Sequence, residues 1–201
     1  MPLTAAVLAI AASASFAVAA AWRRDRRRIY LFKPLTTLLI IAATLFVFAP
    51  APGQYRNIIL FGLGLSLAGD IFLMLPGNKF IPRLASFLAA HLAYVWAFSL
   101  GVGFAPAQLV WLAPFAFFGL VVVVYLWRGL PDAALKGAVV AYLLVIVAMA
   151  WRAAVRTQSP EVPGLSAMTA FAGACLFLAS DSVLAVDRFR RPFRAAEPIV
   201  F

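Results

Sequence analysis

Cysteine and histidine are almost absent from this sequence, which has one of each in 201 residues. The single cysteine, Cys175, lies inside an apolar run and has no second cysteine to pair with. The sequence therefore offers neither a disulfide framework nor a cysteine-based zinc site. We interpret Cys175 as a small core residue.

Several catalytic motifs are also missing. There is no His-Glu-x-x-His pair, no Gly-x-Ser-x-Gly elbow, no glycine-rich phosphate loop, and no lysine in the last apolar run. These absences argue against a zinc protease, an α/β-hydrolase, a nucleotide-dependent enzyme and an opsin. We expect a protein that works without a cofactor, and a metal held by acids and the histidine stays an open alternative.

Acidic residues are scarce, with seven Asp and Glu against 17 Lys and Arg, for a net charge of +10. Such a balance often indicates nucleic-acid binding, but here the basic residues fall in short connections between apolar runs. That distribution is typical of membrane topology. We expect no nucleic-acid partner and a membrane lipid environment.

Long apolar runs make up most of the chain, and 65% of its residues are hydrophobic. Each run is long enough to cross a hydrocarbon core of about 30 Å. Unbroken runs predict helices, which satisfy their own backbone hydrogen bonds in lipid. The sequence predicts one all-α transmembrane domain over residues 1–201, with seven spans at 3–22, 30–49, 57–75, 81–101, 106–127, 133–151 and 163–186.

The second span is expected to carry Lys33 and Pro34 in its first turn, where proline is tolerated. Pro50, Pro52 and Gly53 are expected to close this span.

The connections also predict an orientation. If the amino terminus lies outside, 14 of the 17 Lys and Arg residues fall on the inner side. Only Arg56, Arg152 and Arg156 are then outside. The positive-inside rule favours this arrangement, with basic loops in the cytoplasm and the protein in a bacterial inner membrane.

Two carboxylates interrupt the apolar runs. On the predicted spans, Asp70 lies roughly 8 Å and Asp181 roughly 9 Å from the inner end of its helix. Ionisable groups inside a membrane are costly and usually mark a functional site. His91 and Tyr94 share a face of the fourth span, and Tyr142 enters the sixth at a similar depth.

Each of these residues also has a structural interpretation. Asp181 could be an interfacial cap or pair with Arg188, and Asp70 could be an interfacial acid. His91 could be a hydrogen-bonded core residue, and the two tyrosines could serve packing. Lys33 is most simply an anchor whose amine reaches the interface.

The order of these elements resembles a known family. Gly69-Asp70, His91-x-x-Tyr94 and Ser180-Asp181, together with Lys33-Pro34 and Tyr142, are similar to the YhhN-like membrane proteins, the lysoplasmalogenases. The resemblance covers spans two to seven. It implies a hydrolase that cleaves the vinyl ether bond of a lysoplasmalogen, a lysophospholipid, to release a fatty aldehyde and a glycerophospho-alcohol.

The sequence departs from the family pattern in two places. Arg83 stands where the family commonly has glycine. The arginine side chain could add a contact to the lipid phosphate. The family usually has eight spans, and this sequence stops at residues 197–201, where an eighth would begin. A truncated tail and a seven-span variant are both open.

Vinyl ether cleavage passes through an oxocarbenium ion, the kind of cation that paired carboxylates handle in glycoside hydrolysis. We therefore expect Asp70 and Asp181 to be catalytic, with His91 orienting water or moving protons. Which acid donates and which accepts the proton is open. Substrate contacts are expected from Tyr94, Tyr142, Ser180, Lys33 and Arg83.

Two rival functions remain at this stage. A small-molecule or proton-coupled transporter would use the same acids to bind and release protons, although no repeat with broken helices is recognisable. A lipid-binding protein without turnover would pair its acids with Arg or Lys.

Overall fold

A computed structural model describes residues 3–46, 53–75, 80–190 and 196. Within these ranges the chain forms α-helices and 3₁₀ turns and no strand, which confirms the all-α prediction. The helices are α1 (Leu3–Trp22), α2 (Arg26–Phe46), α3 (Gly53–Met74), α4 (Phe80–Ser99), α5 (Ala113–Leu126), α6 (Ala133–Arg156) and α7 (Gly164–Phe189).

Most of these helices have the length and hydropathy needed to cross a membrane. Six such stretches occur in the part of the chain that the structure describes: Leu3–Trp22, Arg26–Phe46, Phe80–Ser99, Pro106–Gly129, Ala133–Arg156 and Gly164–Phe189. Helix α3 has 22 residues and carries Asp70. At about 1.5 Å per residue, helices of this length span a bilayer core. The chain is an integral membrane protein.

Some predicted features lie outside the described residues. They are the end of the second span with Pro50 and Pro52, the tail at 197–201, and Lys79, which is one of the 14 basic residues predicted on the inner side.

The chain divides into two compact units, one up to Ala93 and one from Tyr94 onward. Each unit is described by itself below. The prediction of a single domain remains a prediction.

In the first unit, α1 and α2 form a tight helical hairpin. Arg24 adopts a left-handed backbone (φ 55°), and the Asp25 carboxylate accepts a hydrogen bond from the Arg28 amide at 3.2 Å. Small side chains let the two helices approach, with Ala20 and Ala21 buried at the turn. Farther along, the Ser13 and Thr36 hydroxyls bond at 2.8 Å, which fixes how α2 lies on α1.

Helix α2 begins earlier than the sequence predicted. It starts at Arg26 rather than near Tyr30, so Pro34 lies inside the helix and not in its first turn. The charged run Arg26–Arg28 predicted a loop between the first two helices. Asp25 instead caps the helix just before this run, so the three arginines form its first turn. Because proline has no N–H, the Tyr30 carbonyl loses its usual donor four residues later.

In the second unit, the predicted fifth span is not one α-helix. Pro106–Leu112 forms a 3₁₀ segment, and the α-helix starts only at Ala113. The physical reason is Pro114, which cannot donate the α-helical hydrogen bond to the Val110 carbonyl. The Ala113 amide bonds to that carbonyl instead.

Helix α6 continues to Arg156, beyond the predicted end at residue 151. Arg152 is only 2% exposed, and its Nε donates to the Ser99 hydroxyl at 2.9 Å while Nη2 donates to the Val102 carbonyl at 2.8 Å. Arg156 donates to the Leu100 carbonyl at 2.7 Å. The two arginines, predicted as loop residues, therefore belong to the helix and fix the segment after α4.

One glycine permits a close approach of two backbones in this unit. A Cβ on Gly129 would lie 1.9 Å from the Phe189 carbonyl oxygen at the end of α7, so one backbone would have to move. We expect Gly129→Ala to destabilise the protein by about 2 kcal/mol, measured as a lower melting temperature in detergent. The control is Gly137→Ala in α6, where nothing lies within 4 Å of the new methyl group. An equal melting temperature for both variants would contradict this packing.

Candidate active site

Asp70 is the buried acid of the first unit. Its residue is 8% exposed, and Lys33 on α2 reaches it from a second helix. The Lys33 Nζ lies 3.3 Å from Asp70 Oδ1, and the Thr37 hydroxyl donates to Oδ2 at 3.2 Å. The side chains of the ion pair are 11% and 12% exposed, so it is shielded from solvent.

The sequence of α2 explains this arrangement. Lys33 and Thr37 are four residues apart, so both project from the same face of the helix. That face meets α3 at Asp70, and each oxygen of the carboxylate receives its own partner. Breaking a buried pair of this kind by removing one charge typically costs about 3–5 kcal/mol.

The residue before Asp70 allows an aromatic ring to pack closely against α3. A Cβ on Gly69 would lie 2.7 Å from the Phe87 ring, so a larger residue would displace that ring. His91, four residues after Phe87 on the same face of α4, is 1% exposed. The structure thus buries the only histidine deeply, one helical turn from the ring that lies against Gly69.

Asp181 forms the second cluster, in the other unit. Tyr142 on α6 donates its phenolic hydrogen to Asp181 Oδ2 on α7. Both residues are half-buried. The sequence predicts Tyr142 and Asp181 on separate helices at similar depth. In the structure their side chains are joined by this hydrogen bond.

The remaining predicted residues of the second unit lie on neighbouring turns. Tyr94 is 6% exposed, and its ring lies 6.3 Å from the ring of Phe177, one turn before Asp181. Its ring also stacks on Phe98 at 6.3 Å. Ser180 is half-buried on α7 next to Asp181. Tyr94 therefore forms an aromatic wall with Phe177 and Phe98.

Two basic residues were predicted to contact a lipid phosphate. Arg83 is half-buried, with its guanidinium 5.3 Å from the centre of the Phe80 ring. Lys33 is not an anchor reaching the membrane surface, because its amine is paired with Asp70. The expectation for Lys33 came from its place near a helix end, and its partner lies 37 positions later in the sequence.

The sequence pattern did not single out Thr37, although its hydroxyl donates a hydrogen bond to Asp70. Its signal was present: a hydroxyl in an apolar run, four residues after Lys33. Regarding metals, the described ranges contain no group of three or more His, Cys, Asp or Glu side chains arranged to hold an ion.

These observations define a class of protein. It is a helical integral membrane protein in which carboxylates lie within long apolar helices and bond to side chains from a second helix. Such groups suit proton transfer or lipid chemistry inside the bilayer.

The chain belongs to the YhhN family, which it matches over residues 28–201. It is 37% identical over 168 residues to lysoplasmalogenase TMEM86B of Homo sapiens, covering 81% of this chain and 65% of that protein. It is 33% identical to lysoplasmalogenase TMEM86B of Sus scrofa over 185 residues, covering 89% and 73%. It is 30% identical to the uncharacterized membrane protein YhhN of Escherichia coli O157:H7 over 196 residues, covering 96% and 89%.

The chain thus spans somewhat less than two thirds of the length of the human relative. No solved structure matches it.

Proposed function

We propose that this chain is a membrane hydrolase of the lysoplasmalogenase type, which cleaves the vinyl ether bond of a lysoplasmalogen. The observation that carries the proposal is the buried carboxylate of Asp70 within a long apolar helix. Its ion pair with Lys33 is also what a lipid-binding protein without turnover would show, and aldehyde release separates the two functions. The names of the human and pig relatives supply the substrate class. A second acid, Asp181, is bonded to Tyr142.

The reaction needs a proton donor and a proton acceptor. Protonation of the alkene carbon gives an oxocarbenium ion, and water adds to the cationic carbon to form a hemiacetal. The hemiacetal then breaks into a fatty aldehyde and a glycerophospho-alcohol. Two carboxyl groups suffice for both proton transfers, as they do in glycoside hydrolysis. We assign these transfers to Asp70 and Asp181.

The other predicted residues take supporting roles. We propose that Tyr94, Tyr142 and Ser180 position the substrate, because they lie beside Asp181 or against the ring one turn before it. Arg83 is the proposed contact for the lipid phosphate. We assign Lys33 to the carboxylate rather than to the phosphate, since its ammonium already faces Asp70.

The proposal is tested with purified protein in detergent, where transport between compartments does not exist. We expect aldehyde release from a 1-alkenyl lysophospholipid. The 1-alkyl analogue has no alkene to protonate and should give nothing, and the 1-acyl analogue tests for esterase activity. A chain that releases fatty acid from the acyl lipid but no aldehyde from the alkenyl lipid is not a lysoplasmalogenase.

His91 is proposed to move protons or orient water, and its titration is the test. Replacing His91 with Gln keeps a polar side chain but removes the imidazole, a group that can both accept and release a proton. We expect kcat to fall by about tenfold to a hundredfold and one limb of the pH–rate profile to move. If rate and profile both match those of the unchanged protein, His91 serves packing only.

We also propose the orientation that the basic connections predict, with the amino terminus outside and the chain in a bacterial inner membrane. Cysteines introduced at Asp132 and Gln158, both exposed, would report it in a Cys175→Ser background. A membrane-impermeant maleimide should label position 158 on intact cells and position 132 only after permeabilisation. The reverse pattern would invert the topology.

A further inference from the structure

A polar cavity lies at the end of α6 in the second unit. Its volume is about 370 Å³, which is within the range of small-ligand sites in proteins. The polar part of its lining comes from Gln108 in the 3₁₀ segment and from Gln158 and Ser159 after α6. Each of these side chains can donate a hydrogen bond, so the cavity suits a ligand that carries acceptor atoms.

The cavity is separate from the acid of the same unit. Val155 lines the cavity and follows Tyr142, the partner of Asp181, by 13 residues on α6. At about 1.5 Å per residue, the two positions lie roughly 20 Å apart along the helix. The end of a membrane-spanning helix also lies near the level of the lipid head groups, where Trp side chains are common, and the exposed Trp111 lines the cavity.

A buried cation lies behind this lining. Arg152 is 2% exposed, and its guanidinium donates to the Ser99 hydroxyl at 2.9 Å and to the Val102 carbonyl at 2.8 Å. A third contact joins Nη1 to the amide oxygen of Gln108 at 3.5 Å. All three acceptors are neutral, and two of them, Val102 and Gln108, belong to residues that line the cavity.

These neighbours compensate the charge of Arg152 only in part. Besides the three acceptors, its guanidinium lies 4.8 Å from the centre of the Phe104 ring and 5.5 Å from that of Trp151. Aromatic faces attract a cation, but buried charges are usually paired with an opposite charge because their desolvation is costly. An anion in the adjacent cavity would supply that opposite charge.

Gln108 gives an anion a route to the guanidinium. Its contact with Arg152 is longer than the usual hydrogen-bond length of about 2.7–3.2 Å, so it is the weakest of the three. Rotation of the Gln108 side chain would let an anionic oxygen accept from Nη1 in its place. The Gln108 amide would then donate to the same anion.

We propose that this cavity is a binding site for a phosphate group, supplied by a phospholipid head group or by free phosphate, with Arg152 as its counter-charge. Guanidinium groups bind phosphate through their fixed array of N–H donors. Glu161, which follows the cavity residue Pro160, is exposed, so water and salt screen its charge. The site does not depend on the proposed hydrolysis and is distinct from the phosphate contact proposed at Arg83.

The test measures the melting temperature of the purified full chain in an uncharged detergent, because a ligand that binds the folded protein raises it. The titrants are dihexanoyl phosphatidylglycerol, inorganic phosphate, and dihexanoylglycerol, which has the same chains but no phosphate. We expect a saturable rise with the phospholipid and none with dihexanoylglycerol. A rise with inorganic phosphate as well would identify free phosphate as a sufficient ligand, and a rise with the lipid alone would identify the head group. Equal rises with the two lipids, or no rise at all, would overturn the proposal.

Gln108→Glu places a carboxylate of the same shape next to Arg152 and should remove the binding. The new side chain would pair with the guanidinium and occupy the position of the phosphate, so the fold is kept while the apparent Kd rises by about tenfold or more. The matched control is Gln54→Glu, which makes the same charge change at an exposed residue of α3. Equal apparent Kd values for Gln108→Glu and Gln54→Glu would show that the phosphate does not bind beside Arg152.

Gly103→Leu provides a second variant that acts through space rather than charge. Gly103 lines the cavity, and nothing lies within 4 Å of a Cβ at this position, so a leucine side chain has room to fill the cavity without displacing the core. We expect the melting temperature without ligand to stay and the rise with phospholipid to be lost. Gly137→Leu, at another open glycine on α6, should bind as the unchanged protein does. Normal binding by Gly103→Leu would contradict the location of the site.

Arg83→Ala separates this cavity from the proposed catalytic site. The variant removes the phosphate contact proposed for the substrate, and the rise in melting temperature with dihexanoyl phosphatidylglycerol should remain. If Arg83→Ala loses the rise while Gln108→Glu keeps it, the phosphate binds at the proposed catalytic site, and the second site is refuted. Because no turnover is measured, failure of the proposed hydrolysis would leave this result unchanged.

Discussion

Asp70→Asn is expected to lower kcat for aldehyde release by about 1,000-fold, because an amide can neither give nor take the proton that we propose Asp70 transfers. The chain should still insert into the membrane. The substitution also leaves the Lys33 ammonium buried without its counter-charge, so the melting temperature in detergent should fall. Activity and melting temperature are measured on the same purified protein.

A double variant separates these two effects. Lys33→Met together with Asp70→Asn removes both charges, so thermal stability should return toward that of the unchanged protein while activity stays lost. The control is Asp132→Asn, which makes the same chemical change at an exposed acid. Asp132 caps α6, and asparagine also caps helices, so this substitution keeps the cap. Recovery of turnover in the double variant would show that Asp70 serves the fold and not the reaction.

Asp181→Asn is the second variant with a large expected effect. We expect a loss of about 1,000-fold in kcat, since an amide can neither give nor take the proton that we propose Asp181 transfers. Stability should change less than in Asp70→Asn, because the asparagine carbonyl can still accept the hydrogen bond from Tyr142. The measurement is initial-rate kinetics together with thermal melting.

Ser182→Ala serves as the neighbouring control. The Ser182 hydroxyl donates to the Leu178 carbonyl of its own helix at 2.7 Å, so its loss is a local change on α7. Near-normal kcat in Asp181→Asn, with Ser182→Ala equally active, would remove Asp181 from the mechanism and leave its bond to Tyr142 as a packing contact.

The helices could be predicted because each one is an apolar run long enough to cross a bilayer. Their ends were harder to predict where a proline or a distant partner decides them. Pro114 separates the 3₁₀ segment from the α-helix in the fifth span because it has no N–H to donate. This boundary could have been predicted from the position of the proline in the sequence. The end of α6 depends on Arg152 and Arg156 finding acceptors in the segment after α4, which no local pattern reveals.

The candidate site was predictable as a set of residues but not as a set of contacts. A carboxylate in an apolar run identifies Asp70, since burial of such a group is costly without a function. The partnership with Lys33 could not be predicted, because a lysine near a helix end has a simpler explanation at the membrane surface. Tyr142 and Asp181 were each singled out, and their hydrogen bond follows from how α6 and α7 pack.

The sequence prediction that Asp70 and Asp181 serve one reaction stays a prediction. The partners described for Asp70 are Lys33 and Thr37, and the partner described for Asp181 is Tyr142. The two substitutions above test the acids separately. A common loss of aldehyde release would support one shared reaction.

The measurement that tests the central claim most directly is turnover in heavy water, followed by mass spectrometry of the aldehyde. Vinyl ether hydrolysis begins with a proton added to carbon, so purified protein acting on an alkenyl lysophospholipid in D₂O should release an aldehyde with one deuterium on the carbon next to the carbonyl. An aldehyde without that deuterium, or no aldehyde at all from well-folded protein, would contradict the account.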